Sequence, residues 1–376
     1  MATSENKTLL ILGAGFSVGA QIPTQDNMLK EIDRWSKLPI SASAQKEQWE
    51  DFKKFFRPAL GKRVTSYNLE DMFTIFDISQ IQKEGFRSNK YEEVQHASYN
   101  LLSSIRNYLI YAVDNSISNK LDKYRSYSDL AIKLLDKRHS YGDEDRMSII
   151  SLNWDNYFDK MLAYRISSRH PYYQNAHHKN MSLDYCTYDY SFANNQSTIP
   201  SILKKTSGYT NLKILKPHGS TNWGYCSNCT RLYISYGTRI QSTFECIKYC
   251  NKRFTRKHIT LTPIMITPTF IKDIGNIHLK NIWSNAGIEI SEANKLIFIG
   301  YSLRPEDFYF RQLLAKNYHS QTEIYVYDFC KDSKLYSAKE KEIKNKYKKF
   351  FQKSKDVVVK VNGWENNIDE IVDHYT

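Results

Sequence analysis

The feature that most constrains the fold is an apolar segment near the start of the chain that ends in a glycine turn. Residues 9–12 are four consecutive apolar residues of strand type, and Gly13, Ala14 and Gly15 follow them directly. Ser17 can cap a helix that begins after such a turn. Main-chain N–H groups and the positive end of a helix bind a pyrophosphate at turns of this kind. The third glycine of the ordinary dinucleotide fingerprint is missing, so the turn alone leaves open nucleotide binding or a plain strand–helix corner.

The composition is that of an ordinary globular chain with a strong positive charge. The 376 residues are 41% hydrophobic and 25% charged, with a formal net charge of +13. A chain of this length can bury a large core. No apolar run approaches the roughly 18 residues that suggest a membrane span, and residues 1–7 are polar and lead directly into the first strand. The sequence therefore predicts a cytoplasmic protein with no membrane contact and no signal peptide.

Much of the positive charge lies in residues 339–355, whose pattern is typical of an amphipathic helix. One apolar stripe of such a helix consists of Ile343, Tyr347, Phe350 and Phe351, and lysines occupy most other positions. This pattern fits a solvated helix face, and it also fits a surface that binds nucleic acid or an acidic protein. No RNA- or DNA-binding motif in the sequence supports the nucleic-acid alternative.

Four of the six cysteines have the spacing of a zinc site. They form two close pairs separated by 16 residues, namely Cys226 with Cys229 and Cys246 with Cys250. A cytosolic chain would not hold such pairs as disulfides, and the spacing is typical of zinc knuckles. Because four thiolates leave no open position for water, the sequence predicts a structural zinc ion in a small ribbon at residues 224–255. The alternative is four reduced cysteines in a loop.

Apolar runs of strand type alternate with helical patterns along the chain. Beyond the first strand, strands are predicted at 147–152, 260–266, 295–299, 323–327 and 357–361. Helices are predicted at 26–38, 155–166, 279–293 and 339–355, with a helical pattern through 45–137 and a loop at 167–210. The predicted fold class is α/β, a Rossmann-like, doubly wound parallel sheet with a helical insertion and a zinc-ribbon module. We assign residues 1–30 and 138–376 to the sheet domain and 31–137 to the insertion.

Polar motifs follow the predicted strands at the point where each strand ends. Ligands of open α/β sheets bind beyond the carboxyl ends of the strands, so we expect these motifs to face one crevice. The residues concerned are Gly13 and Gly15, Asn153 and Asp155, His218, Gly300 and Ser302, and Asp328.

These motifs resemble those of the sirtuin family. The family's first motif, G-A-G-x-S-x-x-x-G-I-P, is matched by residues 13–23, and its N-x-D is matched by Asn153 and Asp155. The H-G that carries the family's catalytic histidine is matched at His218, and Cys226 opens the position of the family's zinc ribbon.

The resemblance continues at Gly300 and Ser302, which match the late G-x-S that helps to bind the dinucleotide in sirtuins. The matches occur in the family's order and span about residues 9–330.

The chain departs from the protein deacylases of this family. Gln21 replaces the glycine of G-I-P, the D-F-R that follows is absent, and the V-F-G-E strand beside the acyl-lysine channel has no counterpart. Residues 153–159 instead resemble the N-Y-D-x-x-x-E/D pattern of a bacterial sirtuin-like branch found in anti-phage systems. Members of that branch hydrolyse NAD+, and the long helical insertion also suits them.

The resemblance implies NAD+ as the substrate and assigns roles to three residues. His218 would contact the ribose hydroxyls and act as general base, directly or by relay. Asn153 would position the ribose and a water molecule, and Asp155 would hold the nicotinamide amide. The residues expected to contact the dinucleotide are Gly13, Ala14, Gly15, Ser17, Gly300, Ser302 and Asp328.

Three functions compete on this sequence. The first is an NAD+ glycohydrolase of bacterial anti-phage defence, a homo-oligomer or a chain held inactive by a separate partner such as a HerA-type ATPase. The second is an NAD-dependent protein deacylase, which the missing channel residues disfavour. The third is a non-catalytic NAD- or ADP-ribose-binding regulator or a DNA-associated subunit, which the presence of Asn153 and His218 disfavours.

Overall fold

The computed structural model describes residues 6–39, 43–60, 67–120, 123–166, 181–187, 190–192, 210–235, 246, 261–269 and 274–375. The strands are β1 (Thr8–Leu12), β2 (Met147–Ser151), β3 (Met181–Asp184), β4 (Tyr190–Phe192), β5 (Thr210–Leu215), β6 (Gly219–Tyr225), β7 (Leu232–Ile234), β8 (Thr262–Met265), β9 (Lys295–Ile299), β10 (Glu323–Tyr327) and β11 (Asp356–Lys360). The helices are α1 (Ala14–Ser17), α2 (Gln25–Ser36), α3 (Ser43–Leu60), α4 (Leu69–Gln82), α5 (Tyr91–Ser118), α6 (Tyr124–Ser140), α7 (Tyr157–Ile166), α8 (Ile277–Glu292), α9 (Phe308–Asn317), α10 (Tyr336–Phe350) and α11 (Ile368–Asp373).

The centre of the fold is a seven-stranded sheet in which every neighbouring pair is parallel. The strand order is β11-β10-β9-β1-β2-β5-β3. Without the edge strand β3, the remaining six strands have the order 3-2-1-4-5-6 of a dinucleotide-binding sheet. The predicted α/β class with a Rossmann-like parallel sheet is confirmed by this topology. The order reverses between β1 and β9, which is the position where such sheets bind ligands.

The central strands are apolar because helices cover the sheet on its faces. All five residues of β1 and all five of β2 are buried, and Leu9, Leu10 and Ile11 have no solvent exposure. Parallel sheets of this kind require continuous apolar strands rather than alternating ones. The bounds of β9 and β10 coincide with the predicted ones, and four of the five residues of β9 and three of the five of β10 are buried.

Six described α-helices lie between β1 and β2 in the chain, namely the short α1 and the longer α2 to α6. Their shared core is aromatic, with Phe52 in contact with Trp49, Phe56 and Phe76. Asn68 caps α4 as its residue type suggests, because its side chain accepts a hydrogen bond from the Glu70 N–H. The boundary predicted at residue 31 lies inside α2, and the division into domains stays a prediction.

A second sheet of four strands has the order β4-β7-β6-β8. Strand β6 begins at Gly219 and ends just before Cys226, and β7 pairs with it antiparallel. The loop predicted for 167–210 was wrong at two places, since β3 and β4 lie within it. Strand β3 pairs with β5, so it depends on a long-range partner that local composition does not indicate.

The basic segment near the end of the chain is a helix, as expected, but α10 begins at Tyr336 and ends at Phe350. Ile343, Tyr347 and Phe351 are buried, so the predicted apolar stripe packs against the core. Among the residues that the structure describes, no helix is both long and apolar enough to cross a membrane.

Candidate active site

The loops that follow β1 and β9 touch at the point where the strand order reverses. The Gly13 N–H donates to the Ile299 carbonyl at 2.9 Å, and the Gly15 N–H donates to the Gly300 carbonyl at 3.0 Å. A Cβ atom on Gly13 would lie 2.5 Å from the Gly300 oxygen, and one on Gly300 would lie 2.2 Å from the Phe16 nitrogen. These glycines are therefore required for the close contact between the two loops.

This contact changes the role expected of the glycine turn. Two of the N–H groups predicted to bind a pyrophosphate already donate to the neighbouring loop. The helix after the turn, α1, is only four residues long. Gly13 and Gly15 thus lie at the predicted edge of the sheet, but the missing side chains make room for another loop of the protein.

The end of β2 is joined to the turn after β1 by a buried network. The Asn153 amide donates to the Gly13 carbonyl at 2.9 Å and to the Ser17 hydroxyl at 3.1 Å. The Ser17 hydroxyl in turn donates to Asp155 at 2.9 Å. Ser17 makes no helix-capping hydrogen bond, so the predicted cap was wrong. Asn153 does not cap α7 either, since Asp155 accepts the hydrogen bond from the Tyr157 N–H.

The Asp155 carboxyl is buried in this network, and burial raises its pKa above the ordinary value. Three interactions oppose the shift, namely the charge of Lys216 and hydrogen bonds from the Tyr157 N–H and the Ser17 hydroxyl. The fully buried Lys216 ammonium donates to the Asp155 carbonyl at 2.7 Å and to Asp159 at 3.2 Å. The network fixes the loop after β2 on both sides of Asp155.

His218 lies three residues after β5 and directly before β6. Its Nδ1 is 3.2 Å from the Leu152 carbonyl at the end of β2. The preceding residue is also fixed, because the Trp283 indole donates to the Pro217 carbonyl at 3.0 Å. On the other side of the ring, Nε2 lies 3.6 Å from an Asp307 carboxylate oxygen.

These groups surround one cleft of about 510 Å³, open space included. It contains four polar side chains from loops at the carboxyl ends of the strands, together with apolar side chains from helices α2 and α5. The lining residues are Ala14, Pro23, Gln25, Met28, Leu109, Leu152, Asn153, Trp154, Asp155, His218, Ile266, Pro268 and Asp307. The structure thus brings Ala14, Asn153, Asp155 and His218 together.

Of the seven expected dinucleotide contacts, Ala14 lines this cleft and the other six do not. Three of these six lie in the loops after β9 and β10. Gly300 lies against the β1 turn, Ser302 is exposed, and Asp328 follows β10 as expected. Asp328 accepts a hydrogen bond from the Phe329 N–H, and burial raises the pKa of its carboxyl. These residues lie at the predicted edge of the sheet but apart from Asn153 and His218.

Sequence reasoning missed Asp307 and Lys216. Asp307 precedes α9, a helix that was not predicted, and its place beside His218 follows only from the fold. The signal for Lys216 was its position between an apolar strand end and Pro217. A lysine buried at such a position needs acidic or carbonyl partners.

Three of the four predicted zinc ligands lie together. The sulfur atoms of Cys226, Cys229 and Cys246 are within 4.8 Å of one another, and those of Cys229 and Cys246 are 3.6 Å apart. Two thiolates on a tetrahedral zinc ion with Zn–S bonds of about 2.3 Å are separated by roughly 3.8 Å. The three thiols therefore fit a zinc ion, and the fourth predicted ligand, Cys250, lies outside the described residues.

No protein-family model matches the chain, and no curated protein matches it either. Among solved structures, it is similar to a mutant Sir2 homologue in complex with 2′-O-acetyl-ADP-ribose, at 12% identity and a TM-score of 0.42. That likeness covers 99% of this chain and 93% of the other. A Sir2–p53 peptide–NAD+ complex is similar at 12% identity and a TM-score of 0.34, over 98% and 90% of the two chains. 2′-O-acetyl-ADP-ribose, the p53 peptide and NAD+ are ligands of those two structures.

Proposed function

We propose that this chain is an NAD+ glycohydrolase, which cleaves NAD+ to nicotinamide and ADP-ribose. The observation that carries the proposal is the meeting of Asn153, Asp155 and His218 in one cleft at the carboxyl edge of the parallel sheet. The motifs of the sequence that resemble sirtuins contain the same three residues. The cleft also adjoins the reversal of strand order, where sheets of this kind bind nucleotides.

The chemistry of the cleft suits cleavage of the nicotinamide–ribose bond. The ribose becomes positively charged as the bond breaks, so the reaction needs oriented hydrogen bonds to the sugar and a water molecule on the opposite face. In our proposal His218 accepts a proton from that water or from a ribose hydroxyl. The Asp155 carboxylate accepts a hydrogen bond from the departing carboxamide, since each of its oxygens can accept more than one.

Asn153 has an unused group that fits a ligand. Its amide nitrogen makes two hydrogen bonds, but its buried Oδ1 has no hydrogen-bond partner among the described residues. A buried acceptor without a donor costs about 1–3 kcal/mol. A ribose hydroxyl or a water molecule would satisfy this oxygen, which supports the role of Asn153 in positioning the substrate.

The walls of the cleft favour a small substrate over a protein. Met28 of α2 and Leu109 of α5 form an apolar wall, and the Trp154 indole donates to the Ile266 carbonyl at 3.0 Å across the cleft lining. The V-F-G-E strand that lines the acyl-lysine channel of protein deacylases also has no counterpart in the sequence. We therefore propose water, rather than an acylated lysine, as the acceptor of the ADP-ribosyl group.

The remaining parts of the proposal concern the setting of this activity. We propose that zinc bound by Cys226, Cys229, Cys246 and Cys250 is structural, because four thiolates leave no position for water. We further propose a cytoplasmic effector of anti-phage defence that forms a homo-oligomer and is restrained by a HerA-type ATPase partner. An NAD+-depleting enzyme needs such restraint, and the motifs that resemble the anti-phage branch support this setting.

The products distinguish the three competing functions. The purified chain, with and without a HerA-type ATPase, is incubated with NAD+ and an acetylated lysine peptide, and products are identified by mass spectrometry. Nicotinamide and ADP-ribose with an intact peptide are expected. A deacetylated peptide with acetyl-ADP-ribose would indicate a deacylase. Bound but uncleaved NAD+ in both conditions would indicate a binding subunit.

A further inference from the structure

Asp307 begins helix α9 but does not cap it. An aspartate at this position commonly accepts a hydrogen bond from an N–H of the first helical turn, whereas the Asp307 side chain makes no capping hydrogen bond. Its carboxylate lies in the wall of the cleft instead, with one oxygen 3.6 Å from Nε2 of His218. The Asp307 carboxylate therefore lies beside the histidine of the candidate site and does not cap its own helix.

The loop that carries Asp307 is fixed in this position. Leu303 has a φ of 49°, a left-handed conformation that is strained for a residue other than glycine. Next to it, the Arg304 guanidinium makes a two-point contact with the Asp26 carboxylate, with N–O distances of 3.1 and 2.5 Å. A strained backbone conformation persists only where the surrounding structure determines it. The salt bridge between Arg304 and Asp26 is a second restraint on this loop.

The hydrogen-bond partner of His218 determines which ring nitrogen carries the proton. The Leu152 carbonyl, 3.2 Å from Nδ1, can only accept, so Nδ1 is the donor. In a neutral ring Nε2 is then an acceptor, and it faces a carboxylate that is also an acceptor when ionised. These two acceptors repel each other. When Nε2 is also protonated, the ring is positively charged and forms an ion pair with the Asp307 carboxylate.

We infer that Asp307 is a positioning residue that stabilises the doubly protonated ring of His218 and so raises the pH at which this histidine becomes a base. One consequence of the inference rests on the proposed function. If hydrolysis requires neutral His218, it begins at a higher pH with Asp307 than without it. The titration of His218 itself is independent of any activity.

Among the residues that the structure describes, the other charged groups near the ring have partners of their own. Asp155 lines the same cleft but accepts hydrogen bonds from Ser17 and the Tyr157 N–H. The Lys216 ammonium is directed to Asp159 and a carbonyl group. From α8 the neighbour is the neutral Trp283 ring, with its centroid 6.2 Å from that of His218. Within the described part of the chain, Asp307 has a carboxylate oxygen 3.6 Å from Nε2, at ion-pair distance.

The test is a histidine NMR titration of the free full-length chain, with the His218 signal assigned by its loss in His218→Gln. Asp307→Asn removes the charge and keeps the shape, and we expect it to lower the titration midpoint of His218 by about one unit or more. Glu306→Gln removes a charge from the adjacent residue and should leave the midpoint unchanged.

Folding of the variants is checked by thermal melting, and Asp307→Ser is measured in parallel because serine is a good helix cap. It should shift the midpoint in the same direction. An unchanged His218 midpoint in folded Asp307→Asn or Asp307→Ser would overturn the inference. Failure of both variants to fold would do so as well, since Asp307 would then be structural. Absence of NAD+ cleavage with the midpoint shifted would refute only the proposed function.

Discussion

Replacement of Gly300 by alanine tests whether the loops after β1 and β9 are in contact. Gly300 has a φ of 62°, and a Cβ atom there would lie 2.2 Å from the Phe16 nitrogen and 2.4 Å from the Gly15 carbonyl carbon. The left-handed conformation costs about 1–2 kcal/mol for an alanine, and the added methyl in a packed region costs about 1–3 kcal/mol more. We expect Gly300→Ala to lower the free energy of unfolding by about 2–5 kcal/mol.

Gly142 provides a matched control for the backbone contribution. Its φ is 58°, but a Cβ atom there would have no neighbour within 4 Å. Gly142→Ala therefore carries the backbone cost without the clash, so the two variants should differ by about 1–3 kcal/mol. Urea unfolding monitored by circular dichroism gives both values from the midpoints and slopes. Equal midpoints for the two variants would refute the close approach of the loops.

Two further predictions concern the buried carboxyl and the thiol cluster. Burial raises the pKa of Asp155 in the folded chain, so its contribution to stability is full below about pH 4 and is lost as the pH rises through the folded pKa. The free energy of unfolding of Asp155→Asn, relative to that of wild type, should thus increase from pH 4 to pH 7. A difference in urea midpoint between the two proteins that stays constant over this range would contradict this. Cys246→Ser should lower the zinc content and the melting temperature. Cys330→Ser, which changes a half-buried cysteine outside the thiol cluster, should change neither. Metal analysis after dialysis measures this, and a full zinc complement in Cys246→Ser would argue against the site.

The central strands of the sheet could be predicted from sequence because most of their residues are buried. Residues 295–299 form an apolar run after Lys295, and residues 323–327 alternate between half-buried and buried positions before Tyr327. Both patterns predict strands without any knowledge of their neighbours. The motifs that follow the strands could then be placed at one edge. Asn153 and His218 were found in this way.

The glycine turn shows what local sequence cannot supply. Gly13 and Gly15 have the pattern of a ligand-binding turn, but their missing side chains accommodate Gly300, which is distant in the chain. A glycine required by another loop and a glycine required by a ligand have the same sequence signature. Only the packing of β9 beside β1 distinguishes them.

The same limit applies to β3 and Asp307. Strand β3 lies in a polar stretch and exists through its pairing with β5. No motif of the sequence marks Asp307, and only the fold places it beside His218. Both depend on contacts between distant segments, whereas propensity and spacing describe only near neighbours in the chain.

The most direct test of the account is the rate at which the purified chain releases nicotinamide from NAD+, alone and with the HerA-type ATPase proposed as its partner. Wild type is compared with His218→Ala and with His139→Ala, which changes an exposed histidine at the end of α6. Loss of a general base commonly lowers a rate by about 10²–10⁴-fold. We expect a loss of this size in His218→Ala and a wild-type rate in His139→Ala. Equal nicotinamide release by wild type and His218→Ala would contradict the account.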